Sequence, residues 1–389
     1  MVKVQSKECL VKCIVIAFVI FFFNVESLEG VDITTIESAV DKGAVCLDGS
    51  PPAYQLDRGF GDGVNNWLVH IQGGGWCDSV EDCVKRKTTS DGLGSSKLMP
   101  VLGFYGILSN KYEVNPYFYN WNRVFMRYCD GASFTGDVEE VDLDNNLYFR
   151  GARIFKVIVE ELMSKGMNNA QNAILSGCSA GGLASILNCD KFRGYFPGST
   201  RVKCVADGGY FAHAKDVSGG YHFEETYDKV VTLHGSANAL PSGCTSQMKA
   251  SLCFYPQFAM PYINAPIFLL NSAYDTWQVR YIFATYQADP NGEYTKCTTS
   301  LDQCSSTQLQ RLEDFRSDFL GAISAGGKSS SKGMFINTCY THCQAETESA
   351  WFGSTKLEDK TIADGVADWF YDKYLFQEID TENVLPHYC

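Results

Sequence analysis

The sequence predicts an α/β protein built on a mostly parallel central sheet, and three observations carry that expectation. Short apolar runs recur between turn residues at 67–71, 123–128, 173–175, 202–206, 266–270 and 333–336, which is the pattern of strands buried on both faces. Between several of them lie stretches of helical periodicity: Leu147, Ile154, Phe155, Ile158 and Leu162, and later Leu309, Leu312, Phe315, Phe319 and Ile323. Strand and helix alternating over some 300 residues, with no internal repeat and no long linker, imply one continuous α/β domain. The one flexible-looking stretch is Gly326-Gly327-Lys328-Ser329-Ser330-Ser331-Lys332-Gly333.

Composition bounds the class. The 389 residues are 45% hydrophobic and 20% charged, which excludes disordered, collagenous and coiled-coil chains. The 45 Asp and Glu against 32 Lys and Arg leave a net charge of −13. That balance repels phosphate backbones, so no nucleic-acid partner is expected.

The first residues read as a secretory signal over 1–27: Lys3, Lys7 and Lys12, then an apolar run from Cys13 to Phe23, then a polar exit ending at Ser27. The run is shorter than the roughly 18–20 apolar residues a membrane span needs, and no other segment is apolar enough. The mature domain is therefore expected to be 28–389, secreted and free of the membrane. Removing Cys9 and Cys13 leaves 14 of the 16 cysteines, enough for seven disulfides in an oxidising compartment. Cys77/Cys83, Cys297/Cys304 and Cys339/Cys343 are close enough in sequence to bridge locally. Tight CxxC pairs and clustered histidines are lacking, so no zinc site is expected, and with no Asn-x-Ser/Thr sequon no ordinary N-glycan is expected either.

In an open α/β sheet, chemistry collects at the carboxyl ends of strands. After the run ending at Leu175 comes Ser176-Gly177-Cys178-Ser179-Ala180-Gly181-Gly182 and then a helical segment. This is G-x-S-x-G between strand and helix, where a sharp turn strains the serine and brings its flanking residues together. In a chain with 35 glycines the bare pattern is weak; its position between strand and helix makes Ser179 the candidate nucleophile. The run 67–71 ends in Gln72-Gly73-Gly74-Gly75-Trp76-Cys77, a glycine loop whose amides can approach a developing oxyanion. Gly74, Gly75 and Ala180 are the candidate donors. The base belongs after a late strand, in the order Ser, acid, His. Only His342 follows both the elbow and the final predicted strand while preceding the tail. Asp207 and Asp275 follow the first and second strands after the elbow; the usual layout favours Asp275, and either residue serves equally well as a helix cap. Trp76 and Trp277 adjoin the glycine loop and the acid, in position to pack on sugar rings, limit acyl length or simply fill the core. Lys85-Arg86-Lys87 follows the loop and offers a basic lip for carboxylates, or a solvated charge run.

Taken together, Gly73 through Cys77, Tyr128-Cys129-Asp130-Gly131-Ala132-Ser133-Phe134-Thr135-Gly136-Asp137, Gly177 through Gly182, Asn271 through Gln278 and Cys339 through Gln344 resemble the plant pectin acetylesterase family, which is related to the Notum-type carboxylesterases of animals. The resemblance runs from about Val31 to the C-terminus. It implies an α/β-hydrolase fold, a secreted cell-wall serine esterase that removes acetyl groups from pectin, a triad of Ser179, Asp275 and His342, and no cofactor. Gln72 stands where many members carry Glu, and Thr276 where Ser is common. A monomer is expected. The other readings are a carboxylesterase for longer acyl groups of lipids or lipid-modified proteins, and a hydrolase-like binding protein without catalysis.

Overall fold

The computed structural model describes residues 30–325 and 331–389. The expected signal segment 1–27 and most of the glycine-serine stretch lie outside the described residues. Nine strands form one sheet in the order β1-β2-β4-β3-β5-β6-β7-β8-β11. They are β1 (Ile33–Thr35), β2 (Ala53–Asp57), β3 (Asn66–Ile71), β4 (Asn122–Met126), β5 (Asn172–Cys178), β6 (Arg201–Asp207), β7 (Ile267–Ser272), β8 (Lys332–Asn337) and β11 (Gln377–Ile379), while β9 (Lys356–Leu357) and β10 (Lys360–Thr361) make a separate hairpin. From β4 through β3, β5, β6, β7 and β8 to β11 every pairing is parallel; β1 and β2 add an antiparallel edge. All six strands read from the sequence are present.

Successive side chains of a strand point to opposite faces, and the core divides accordingly. Trp67, Val69 and Ile71 of β3, Ala173 and Leu175 of β5 and Ile267 and Leu269 of β7 join one cluster. Leu68, Ile174, Val205, Phe268 and Leu270 join the other. The larger cluster is covered by the helices Gly151–Ser164 and Ala180–Arg193 and by Leu312, Phe315 and Phe319 of the helix Ser306–Ala325. On Gly151–Ser164 the stripe Ile154, Phe155, Ile158 and Leu162 is buried, each side chain contributing about 1.5–3 kcal/mol. Leu147, expected on this helix, lies before it and bridges to Asp142. The smaller cluster is covered by the helix Ile362–Phe370, whose N-terminus is closed by a reciprocal Thr361–Asp364 capping box. Among the described residues no helix is long and apolar enough to cross a membrane.

Among the described residues seven disulfides join Cys46–Cys129, Cys77–Cys83, Cys178–Cys343, Cys189–Cys204, Cys244–Cys253, Cys297–Cys304 and Cys339–Cys389. The local Cys339/Cys343 bridge does not form. The segment after β8 runs between two neighbours: Cys339 pairs along the C-terminal tail, where Tyr340 N–H donates to His387 O at 2.6 Å, and Cys343 reaches across to β5. The groups Cys77/Cys83/His234 and Cys339/His387/Cys389 bring metal-ligating atoms together, but their sulfurs are bonded to each other and are not thiolates.

Candidate active site

Ser179 sits between β5 and the helix Ala180–Arg193 with φ 59° and ψ −125°, a backbone conformation that costs a non-glycine residue on the order of 1–3 kcal/mol. The surroundings hold it there. Its N–H donates to Asp207 O at 2.8 Å and its C=O accepts from Leu183 N–H at 2.9 Å. A Cβ on Gly181 would lie 2.2 Å from Ile71 O, and one on Gly177 would lie 2.3 Å from Gly181 O, so the turn closes only with glycine at both positions. The serine is 6% exposed, at the carboxyl edge of the sheet.

The glycine loop leaves β3 beside it, and a Cβ on Gly73 would lie 3.0 Å from Ser179 Cβ. The carbonyls of the next two residues are pinned: Arg86 Nη1 donates to Gly74 O at 2.8 Å and the Tyr128 hydroxyl to Gly75 O at 2.8 Å. Gly75 adopts φ +66°, which suits glycine. Among the described residues nothing accepts from the N–H groups of Gly74, Gly75 or Ala180, which leaves all three open as donors. At the start of the loop, Gln72 Oε1 accepts from Arg127 Nε at 2.8 Å and from Tyr128 N–H at 3.1 Å. Burial pushes the Arg127 guanidinium down to about 10.

The basic triplet is not a lip. Arg86 turns inward to the Gly74 and Leu93 carbonyls with its guanidinium 5.0 Å from the Tyr128 ring centre. Lys87 donates to the carbonyls of Asn145 and Asn146, and Lys85 pairs with Glu81 one turn back at 3.0 Å. Arg86 is thus a clamp on the glycine loop that sequence reasoning missed; nothing in the spacing marks which way its side chain turns.

Asp275 follows β7 and His342 follows β8. His342 Nδ1 and Asp275 Oδ2 are 2.8 Å apart, while Asp275 Oδ1 accepts from Trp277 and Gln278 N–H at 3.0 Å each. Asp275 therefore caps a helical turn and orients the imidazole at once. Thr276 N–H donates to Thr341 O at 3.1 Å, which ties the two loops together. Burial opposes charge on His342, but Asp275, with Asp207 and Glu346 behind it, outweighs that and holds the ring above its ordinary value. His342 Nε2 is buried and, among the described residues, has no hydrogen-bond partner; the bond to the serine hydroxyl is one that commonly tightens only around substrate.

Three links set His342 against Ser179. Cys178, just before the serine, is bonded to Cys343, just after the histidine. Gly208 lies against the imidazole, where a Cβ would be 3.2 Å from Nδ1 and Cε1. Asp207, besides accepting from Ser179 N–H, accepts at Oδ2 from Gln344 N–H at 2.7 Å and Ala345 N–H at 2.6 Å. Asp207, the other sequence candidate for the acid, has no hydrogen bond to the histidine ring among the described residues.

Trp76 and Trp277 line an open cleft of about 810 Å³ that also takes in Gly75, Phe223 and Tyr281. Trp76 donates its indole N–H to Ser133 Oγ at 2.8 Å and meets Phe211, Tyr227, Trp277 and Phe254 edge-on at 4.9, 5.1, 5.4 and 6.2 Å. Trp277 lies along the imidazole of His342, 6.4 Å away and tilted 26°. Both rings are packed and both wall the cleft. Phe211, Tyr227 and Phe254 were not anticipated, because their distances along the chain carry no pattern.

A strained serine elbow, a histidine–aspartate pair and free amides at the carboxyl edge of a mostly parallel sheet define the α/β-hydrolase class. A solved structure of the Wnt deacylase Notum from Drosophila matches this fold with a TM-score of 0.76, covering 92% of this chain and 98% of that one at 22% identity. Pectin acetylesterase 7 of Arabidopsis thaliana is 48% identical over 97% of this chain and 95% of its own length, and pectin acetylesterase 11 of the same plant is 48% identical over 92% and 91%. Palmitoleoyl-protein carboxylesterase NOTUM of Mus musculus is 31% identical over 60% of this chain and 48% of its own length. The pectinacetylesterase family model matches residues 25–389. The chain belongs to the pectinacetylesterase family and is a carboxylic ester hydrolase.

Proposed function

We propose that this protein is a secreted cell-wall serine esterase that removes acetyl groups from pectin, homogalacturonan or rhamnogalacturonan, through an acyl-serine intermediate. The observation that carries the reading is the Asp275–His342 hydrogen bond set beside the strained Ser179, in a chain 48% identical to two pectin acetylesterases. Residues 1–27 are the signal and 28–389 the esterase domain.

His342 Nε2 takes the hydroxyl proton as Ser179 Oγ attacks the acetyl carbonyl, and Asp275 holds the ring and balances its charge. The amides of Gly74, Gly75 and Ala180 receive the oxyanion, each worth about 3–4 kcal/mol. The imidazolium then protonates the departing sugar oxygen. Water, deprotonated by the same nitrogen, attacks the acyl-serine and releases acetate. Every proton in this cycle is moved by His342, and no cofactor enters it. Trp76 and Trp277 wall the acyl and sugar positions, and the packing of four rings around Trp76 favours a short acyl group over the long chain of a lipid-modified protein.

The test is acetate release from acetylated pectin, acetylated xylan and a series of p-nitrophenyl esters by the mature protein and its Ser179→Ala variant. Release from pectin that disappears in the variant is the expected result. Turnover of long esters alone would replace this reading with lipid or lipoprotein deacylation, and no Ser179-dependent turnover would leave a binding protein.

A further inference from the structure

Asp207 does more than occupy the end of β6. It is fully buried, yet its carboxylate faces the segment that carries the base. Oδ2 accepts from two consecutive amides, Gln344 and Ala345, while Oδ1 has no partner among the described residues. Its main-chain oxygen accepts from Ser179 N–H at 2.8 Å. The next residue, Gly208, is the floor under the His342 ring. One residue therefore grips the nucleophile with its backbone and the base loop with its side chain.

We propose that Asp207 is a positioning residue of the esterase reaction, which fixes His342 relative to Ser179 through Gln344 and Ala345 and places a second carboxyl group, behind Asp275, in the field of the imidazole. The proposal rests on the serine-esterase reading above. The charged groups that act on Asp207 are His342 and Glu346 on the loop after β8, and Asp275 after β7 faces the imidazole. On β3, His70 holds Glu346 Oε1 at 2.9 Å with Nε2 and meets Ser176 Oγ at 3.1 Å with Nδ1. Burial pushes Asp207 up to about 7, the two loop amides pull it back down, Glu346 raises it and His342 lowers it. The imidazole is in turn raised by Asp207, so the charge states of the two groups are linked. Ionised Asp207 favours the imidazolium, so the acid limb of the esterase profile belongs to both groups.

The sign follows. Asp207→Asn keeps an oxygen for the two amides and deletes the charge, so His342 becomes neutral, and active, at lower pH. Asp207→Ala also releases the loop; a misplacement of about 1 Å costs on the order of a hundredfold. The experiment is the pH dependence of kcat/KM on p-nitrophenyl acetate for the parent, Asp207→Asn, Asp207→Ala and Ser179→Ala, each checked for folding by near-ultraviolet circular dichroism. Expected are an acid limb displaced to lower pH in Asp207→Asn, with activity within about tenfold of the parent, and a loss near a hundredfold, in kcat rather than KM, in Asp207→Ala. A purely structural role would lower the profile without moving it. Should Asp207→Ala fail to fold, Asp207→Asn decides alone: a folded Asp207→Asn protein with its acid limb unmoved overturns the proposal. Turnover persisting in Ser179→Ala would instead refute the esterase site itself, whatever Asp207 does.

Discussion

Replacing Trp76 with alanine should change which acyl groups the enzyme accepts. The indole follows Gly75 directly, is fixed through its N–H to Ser133, and fills the space between Phe211, Tyr227, Phe254 and Trp277. Removing a buried Trp costs about 3–5 kcal/mol, and because Trp76 is only half-buried the lower end applies. A domain with 5–15 kcal/mol of stability survives that, the more so with seven disulfides. The room released lies beside the proposed oxyanion donors. Each methylene that enters an apolar space gains about 0.8 kcal/mol, so a butyryl group, with two more than acetyl, gains about 1.6 kcal/mol, or roughly 15-fold in relative kcat/KM. The assay is kcat/KM for p-nitrophenyl acetate, butyrate and hexanoate on the parent, Trp76→Ala and the gentler Trp76→Phe. The butyrate-to-acetate ratio should rise by more than tenfold in Trp76→Ala and less in Trp76→Phe. A folded Trp76→Ala protein whose ratio stays within twofold of the parent would refute the argument, because the acyl group would then lie elsewhere.

Two further outcomes follow from named contacts. Replacing both Cys178 and Cys343 with alanine opens a cross-link of 165 residues, for which chain entropy sets a ceiling of about 5 kcal/mol; the bridges Cys189–Cys204, Cys244–Cys253 and Cys297–Cys304 lie within that loop and already shorten it, so the loss, read as a lowered Tm by calorimetry, should be smaller, while kcat falls because the covalent tie between base and nucleophile is gone. At Asp216 burial favours the neutral acid, but hydrogen bonds from Ser218 and His222 outweigh it and hold the carboxyl down to about 2, against an ordinary 3.8. Its stabilisation is therefore complete above pH 3.8 and fades as pH falls through 2. Asp216→Asn should cost about 2 kcal/mol in urea unfolding at pH 6 and progressively less in more acid solution; an equal cost at pH 6 and pH 2 would contradict the assignment.

What the sequence showed and hid follows from how far each feature reaches. The six inner strands are buried on both faces and so read as predominantly apolar runs, although His70, Arg123 and Lys203 interrupt them. The edge strands β1 and β11 are three residues each and only partly buried, too short for alternation to register. Ser179 was visible because its neighbours are constrained locally, and His342 because chain order left one candidate. Asp207 closes β6 and Asp275 follows β7, and strand spacing alone did not separate them; the difference is that Asp275 faces the ring while Asp207 faces the amides two and three residues past it. The partner of Cys343 lies 165 residues away, beyond any local rule. The inward turn of Arg86 and the aromatic packing of Trp76 depend on side-chain direction and on contacts between distant segments, which composition and periodicity do not encode.

The Cys178–Cys343 bond has a bearing on biogenesis. The residues it joins are the immediate neighbours of the proposed nucleophile and base, so part of the register of the hydrolytic geometry is fixed by an oxidant and not by the chain alone. A molecule with mispaired cysteines loses the covalent one of the three links that register serine against histidine and keeps only the contacts of Gly208 and Asp207. Hydrolytic competence then reports on correct oxidation, and a chain still in a reducing environment holds its serine and histidine segments together by non-covalent contacts alone.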